Sequence, residues 1–215
     1  MSTAPARGAF DRRLHAIDAR VADVFRMVAQ DLPPATQALL DGRGETADEL
    51  AGREQAIDAL YPEIEKFACR EILLQAPVAA DLRFLLSVLR VVPELERSHD
   101  LIMQIASSAG QIPAGSLSTR ARTLTGQMGD LAASMWRQAA ISWRMRDGSA
   151  ASTLATRGED MAQLHSSVTA ELASGAMPLA VAMEMTLAAR CYDRLAAHAV
   201  NITRRVVYLA GPATR

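Results

Sequence analysis

The sequence predicts an all-α protein of two tandem three-helix bundles, six long antiparallel helices related by a pseudo-twofold internal repeat. Three observations carry this reading. Apolar residues recur at alternating steps of three and four over long stretches, the period of helices that face partner helices. Half of the 215 residues are apolar but only 4% are aromatic, a balance that favours helices over strands. Finally, the second half repeats the order of the first, helix, turn, helix, turn, helix, as two copies of one supersecondary unit would. The loop Gly110-Gln111-Ile112-Pro113-Ala114-Gly115-Ser116 is the clearest boundary, and the bundles are expected over 1–109 and 116–215.

The first helix is expected from Gly8 to Asp41. Phe10, Leu14, Ile17, Val21, Val24 and Val28 form its stripe, and a kink is expected at Pro33-Pro34, where backbone donors are lost. Asp41-Gly42-Arg43-Gly44 reads as a turn. The second helix runs from about Glu45 to Gln75 on Leu50, Glu54, Ile57, Tyr61, Ile64, Ala68 and Ile72. Pro77 suits the first turn of the third, which extends from about Val78 to Ser108 on Val78, Leu82, Leu85, Leu89, Val92, Glu96, His99, Met103 and Ala106. Pro62 and Pro93 fall inside helices two and three and free the carbonyls of Asp58 and Leu89. Past the central loop, helices are expected over about 117–145, 150–172 and 178–210, with turns at Arg146-Asp147-Gly148-Ser149 and Ser174-Gly175.

Two of these seams carry acids. Glu54 and Glu96 occupy seam positions, and Asp58 and Asp100 follow one turn later on the same faces. A carboxylate facing a core is costly unless it is paired or bound to a cation. Two acid-x-x-x-Asp pairs on neighbouring antiparallel helices can place four carboxylates around a common point. Hard divalent cations suit such oxygens, and His99 adds an imidazole that iron, manganese or zinc would accept. The candidate site is therefore a metal centre of Glu54, Asp58, Glu96 and Asp100, with His99 as an added ligand. The competing reading pairs the acids with Arg53, Arg90 or Arg97 at the rim of the bundle, and makes His99 a hydrogen-bonded core residue.

Other features exclude or leave open. With 23 basic and 24 acidic residues and a net charge of −1, no basic block marks a nucleic-acid footprint. Cys69 and Cys191 are too few for a disulfide framework and lack metal-finger spacing, so a reducing cytoplasm is the expected compartment. Met1 to Gly8 has no apolar signal core and no apolar run is long enough to span a bilayer, so membrane association is expected only through partners. Arg83, Arg90 and Arg97 form a stripe that is either a solvated face with snorkelling stems or a docking stripe for an acidic partner. His165 and His198 read as packing or surface residues. No Ser-His-Asp or Cys-His set can be assembled, and no enzymatic activity is expected.

Laying Asp193 on Glu96 aligns the two halves and sets Arg194 on Arg97 and Asn201 on Gln104. The acids thin out in the second copy. Ala197 stands for Asp100, and in the preceding helix, where Leu164 is laid on Leu60, Gly158 and Ala162 stand for Glu54 and Asp58. A metal is expected in the first bundle only.

These residues together resemble the PhoU family of phosphate-uptake regulators. The likeness covers nearly the whole chain and rests on four runs in order: Ala9-Phe10-Asp11-Arg12-Arg13-Leu14; Gln75-Ala76-Pro77-Val78-Ala79-Ala80-Asp81-Leu82-Arg83; Leu95-Glu96-Arg97-Ser98-His99-Asp100; and Asp193-Arg194 with His198-Ala199-Val200-Asn201-Ile202. The resemblance implies metal binding at Glu54, Asp58, Glu96 and Asp100, by iron, zinc, magnesium or manganese. It implies a cytoplasmic adaptor, often a homodimer, between a phosphate ABC transporter and a two-component sensor kinase, acting negatively on the phosphate-starvation response. Two other readings stand beside it: a carboxylate-bridged dimetal oxidase of ferritin-like type, for which Glu96-Arg97-Ser98-His99 is one Glu-x-x-His unit where two are needed, and a metal-free helical scaffold.

Overall fold

The apolar stripes become six helices in the computed structural model, which describes residues 4–42 and 45–211. These are α1 (Ala4–Asp41), α2 (Glu45–Gln75), α3 (Ala79–Ala109), α4 (Thr119–Met145), α5 (Ala150–Ala173) and α6 (Leu179–Ala210); among the described residues there is no strand. Arg43 and Gly44 of the expected first turn lie outside the described residues, as do 1–3 and 212–215 at the ends. The first helix begins earlier than the expected Gly8 and carries Pro33 and Pro34 within its span. Both prolines lie on its exposed face, where their rings meet solvent instead of a neighbouring helix.

Within each half the three helices pack on one another, and across the halves α1 packs on α4 and α3 on α6. The inner layer is therefore α1, α3, α4 and α6, with α2 and α5 on the outside. One continuous apolar cluster runs through both halves. The stripe of α1 is buried almost throughout, from Phe10 to Val28, as are Leu50, Ile57, Ile64 and Ala68 of α2.

Helix α3 corrects the sequence reading. Val78, expected to begin its seam, is 73% exposed, and Leu82, Leu89, Glu96 and Met103 are only half-buried. The fully enclosed line is Leu85, Val88, Val91, Leu95, Ile102 and Ile105. The cause is that α3 meets α1 and α2 on one side and α6 on the other, so its buried face is wider than one stripe: Leu85, Val92, His99 and Ala106 of the expected line are buried, and so are Val88, Val91, Leu95, Ile102 and Ile105 beside it. Glu96 consequently sits at the edge of the core, whereas His99 lies inside it.

Several polar groups buried between the halves pair across the junction, as burial favours. Tyr192 of α6 donates its hydroxyl to Thr36 Oγ1 of α1 at 2.9 Å, and Trp136 Nε1 of α4 donates to the Leu195 carbonyl of α6 at 3.1 Å. Asp18 of α1 accepts from Trp143 Nε1 at 2.9 Å and pairs with Arg146 at 2.6 Å. The helix starting at Thr119 is capped by Ser118, whose side chain accepts from Ala121 N at 3.0 Å.

Close approach of α4 to α1 depends on Gly129. A Cβ there would sit 2.7 Å from Thr36 Oγ1 and 3.1 Å from its Cβ. On an exposed helix Gly→Ala stabilises by about 1 kcal/mol. Here Gly129→Ala is expected to destabilise by about 1–3 kcal/mol, because α4 must back away from α1. Urea unfolding checks this, and a neutral or stabilising result would count against the interface.

Candidate metal centre

Asp58 reaches the site from α2, and Glu96 and Asp100 reach it from α3 one turn apart, so two adjacent helices present three carboxylates to one point. One oxygen from each lies within 4.8 Å of the others. Asp58 is exposed, while Glu96 and Asp100 are half-buried. Burial, and then the charges of Asp100 and Asp58, push the Glu96 carboxyl above its ordinary range against the opposing pull of Arg97. Burial and Asp58 do the same to Asp100, opposed by His99. Burial is the larger cause in both, and the crowding of like charges adds to it.

The arginines offered by the competing reading do not supply a counterion. Arg53 turns away to Asp31 of α1, and Arg90 and Arg97 make no ion pair among the described residues. The donor set fits a hard divalent ion: Asp58, Glu96 and Asp100 would hold it at a partly open surface that leaves room for water, as magnesium or manganese prefers.

Of the five residues named from the sequence, the structure brings Asp58, Glu96 and Asp100 together; Glu54 and His99 do not join them within that distance. Glu54 is half-buried and, with Asp100, lines a neighbouring cavity of about 790 Å³. His99 is 1% exposed, and its Nε2 lies 3.1 Å from Asp31 Oδ2. Burial pushes its pKa down, over the opposing influence of Glu54, Asp100 and Asp58, with Arg53 adding to the downward shift. The neutral ring then donates through Nε2, leaving Nδ1, buried and without a hydrogen-bond partner among the described residues, as a bare lone pair.

Asp31 is the residue that sequence reasoning missed. Its carboxylate is wholly buried between Arg53 and His99. The signal was present: the α1 stripe stepped three residues beyond Val28 lands on Asp31.

The second half lacks a comparable cluster among the described residues. At Gly158 a Cβ would make an ordinary van der Waals contact, 3.4 Å from Val200 Cγ2 of α6. Ala162 and Ala197 are exposed and Asp193 stands half-buried. The cysteines offer no substitute chemistry: both are free, and burial pushes the Cys191 thiol up to about 11.

The comparisons with known proteins agree with this architecture. The family model described as PhoU domain matches residues 21–109 and 125–206. The chain is 28% identical over 207 residues to phosphate-specific transport system accessory protein PhoU homolog 2 of Mycobacterium tuberculosis, covering 95% of this chain and 97% of the relative. It is 26% identical to the PhoU homolog of Streptococcus pneumoniae, covering 94% and 95%. Among solved structures, PhoU from Pseudomonas aeruginosa superposes with a TM-score of 0.87 at 22% identity, covering 93% of this chain and 98% of that one. The phosphate transport system regulatory protein PhoU from Streptococcus pneumoniae gives 0.84 at 25% identity, covering 94% and 97%.

Proposed function

Because the chain belongs to the PhoU family, we propose that it is a cytoplasmic regulator of phosphate uptake, an adaptor between a phosphate ABC transporter and a two-component sensor kinase that holds down the phosphate-starvation response. The observation that carries this reading is the match of both repeats, in order, to a family whose relatives are named as accessory proteins of phosphate-specific transport. No helix among the described residues is long and apolar enough to cross a membrane. Docking of a partner or a second copy is supported by an apolar ridge on α6, where Leu179, Met183 and Leu187 recur one turn apart and are 77%, 61% and 57% exposed.

A divalent cation held by Asp58, Glu96 and Asp100, with Glu54 and His99 as outer contributors, is part of the same proposal. The cation neutralises three converging charges and ties α2 to α3. Its ligands must be deprotonated, so affinity rises with pH through the raised range of Glu96 and Asp100.

The test has two arms. In cells, deletion of the gene is expected to switch on phosphate-starvation genes in phosphate-rich medium, and the intact gene to silence them; unaltered expression would remove the regulatory role. In vitro, manganese at about a hundred times its Kd is expected to stabilise the protein by about 2.7 kcal/mol, a Tm rise of about 5–10 °C for a chain of this size. Asp58→Asn with Glu96→Gln and Asp100→Asn is expected to abolish that rise, and an equal rise in the variant would remove the metal site.

A further inference from the structure

We propose that the groove between α3 and α6 binds a tetrahedral oxyanion, inorganic phosphate or the phosphoryl group of a larger molecule, between the guanidinium groups of Arg97 and Arg194. The groove is a cavity of about 570 Å³, and its polar lining is Arg97, Asp100 and Gln104 from α3 with Arg194, His198 and Asn201 from α6. Arg97 and Arg194 are equivalent positions of the internal repeat, and so are Gln104 and Asn201. Because the two copies pack together through α3 and α6, their approximate twofold relation delivers each donor type twice to one groove.

The two guanidinium groups are free of ion pairs among the described residues, and Gln104, whose Oε1 accepts from Cys191 Sγ at 3.4 Å, keeps its amide donors for a ligand. Arg97 and Arg194 are exposed, and neither forms an ion pair among the described residues, whereas Arg7, Arg13, Arg20, Arg26, Arg53 and Arg146 all do. Two forked guanidinium groups with two carboxamides match the several acceptor oxygens of a tetrahedral anion better than any neutral ligand. His198 at the groove wall is held between Ser98, whose Oγ lies 2.8 Å from its Nδ1, and Glu94, whose Oε2 lies 3.6 Å from its Nε2.

Loss of the second acid cluster suits this role. Asp100 is the one acid lining the groove, and its repeat equivalent there is Ala197. A second carboxylate at that position would repel an anion from the α6 side; alanine leaves Asp100 as the one carboxylate lining the groove. Asp100 also belongs to the carboxylate cluster, so a divalent cation bound there cancels the remaining repulsion. Cation and oxyanion then bind with positive cooperativity, a coupling that rests on the metal reading of the preceding section while the groove itself does not.

The test is calorimetric titration of the full chain with inorganic phosphate in chloride buffer, with and without magnesium, and in parallel with AMP. Saturable one-site binding is expected, strengthened by magnesium. Arg97→Gln with Arg194→Gln is expected to weaken it about a hundredfold, from two lost charge-assisted contacts, with an unchanged melting curve in phosphate-free buffer. Asp100→Asn is expected to tighten phosphate binding in the absence of magnesium. Tighter binding of AMP would assign the groove to organic phosphates, and tighter binding of phosphate to the inorganic ion; either supports the site. No saturable heat with either, or full binding by the double arginine variant, would overturn it. Arginine-dependent binding that ignores magnesium would keep the groove and overturn its coupling to the cation.

Discussion

Trp136→Ala is expected to destabilise the protein by about 3–5 kcal/mol, lowering Tm by on the order of 10 °C for a chain of this size. The indole is fully buried on α4, its ring centroid 6.3 Å from Phe25 of α1 and its Nε1 bonded to the Leu195 carbonyl of α6. Phe25 also stands 5.8 Å from Trp143, which is 6.3 Å from Phe84 of α3. The variant therefore leaves a cavity at the seam between the halves and removes the indole's bond to a carbonyl that keeps only its own helical partner. Because the aromatic chain links both repeats, the loss is expected to be felt by the whole molecule. Near-ultraviolet and far-ultraviolet dichroism should trace one coincident transition in the wild type and one at lower temperature in the variant. Two separated transitions, with the first half melting where it did before, would mean that the halves fold independently of this junction.

Helices were the legible part of this sequence because each has a solvent face and a core face, and steps of three and four record that division directly. Their ends were read to within a residue or two wherever a turn residue intervened, as at Gly110 and Gly148. What the period could not convey is how many neighbours a helix has. The α3 seam assumes one buried stripe with Glu96 on it; contact with α6 as well as α1 and α2 widens the enclosed face to Leu95 and Ile102 and leaves Glu96 at its edge.

The site divided along the same line. Spacing placed Asp58, Glu96 and Asp100 on facing surfaces of adjacent helices, and three of their oxygens converge. Spacing also promoted Glu54 and His99, because one-turn neighbours share a face without necessarily sharing a point. The destination of His99 was set by Asp31, a residue in a different helix, and no periodicity within α3 records that. Likewise the repeat aligned Arg97 with Arg194 on paper, but only the packing of α3 on α6 puts them in one groove.

Arg53→Ala is expected to cost about 3 kcal/mol at pH 8, the low end for breaking a buried ion pair. Asp31 is wholly buried, and its carboxylate is held by Arg53 on one oxygen and His99 on the other. Removal of the arginine leaves a buried anion with a neutral imidazole as its remaining partner. The low end applies because the Arg53 side chain is 51% exposed, so water enters where it leaves and screens part of the loss. The pH dependence has a definite sign. In the wild type the folded His99 pKa lies below its unfolded value, so the stability it contributes is present above the unfolded pKa and is lost on acidification through about 6.5. Arg53 is one cause of that depression; without it His99 protonates more readily beside Asp31, and the gap between variant and wild type should narrow from pH 8 to pH 5.5. Urea titrations of both proteins at the two pH values measure this difference. In an Asp31→Leu background, Arg53→Ala should be close to neutral, because both members of the pair are then gone. An equal cost in the two backgrounds would show that Arg53 acts through packing of its stem and not through the carboxylate it faces.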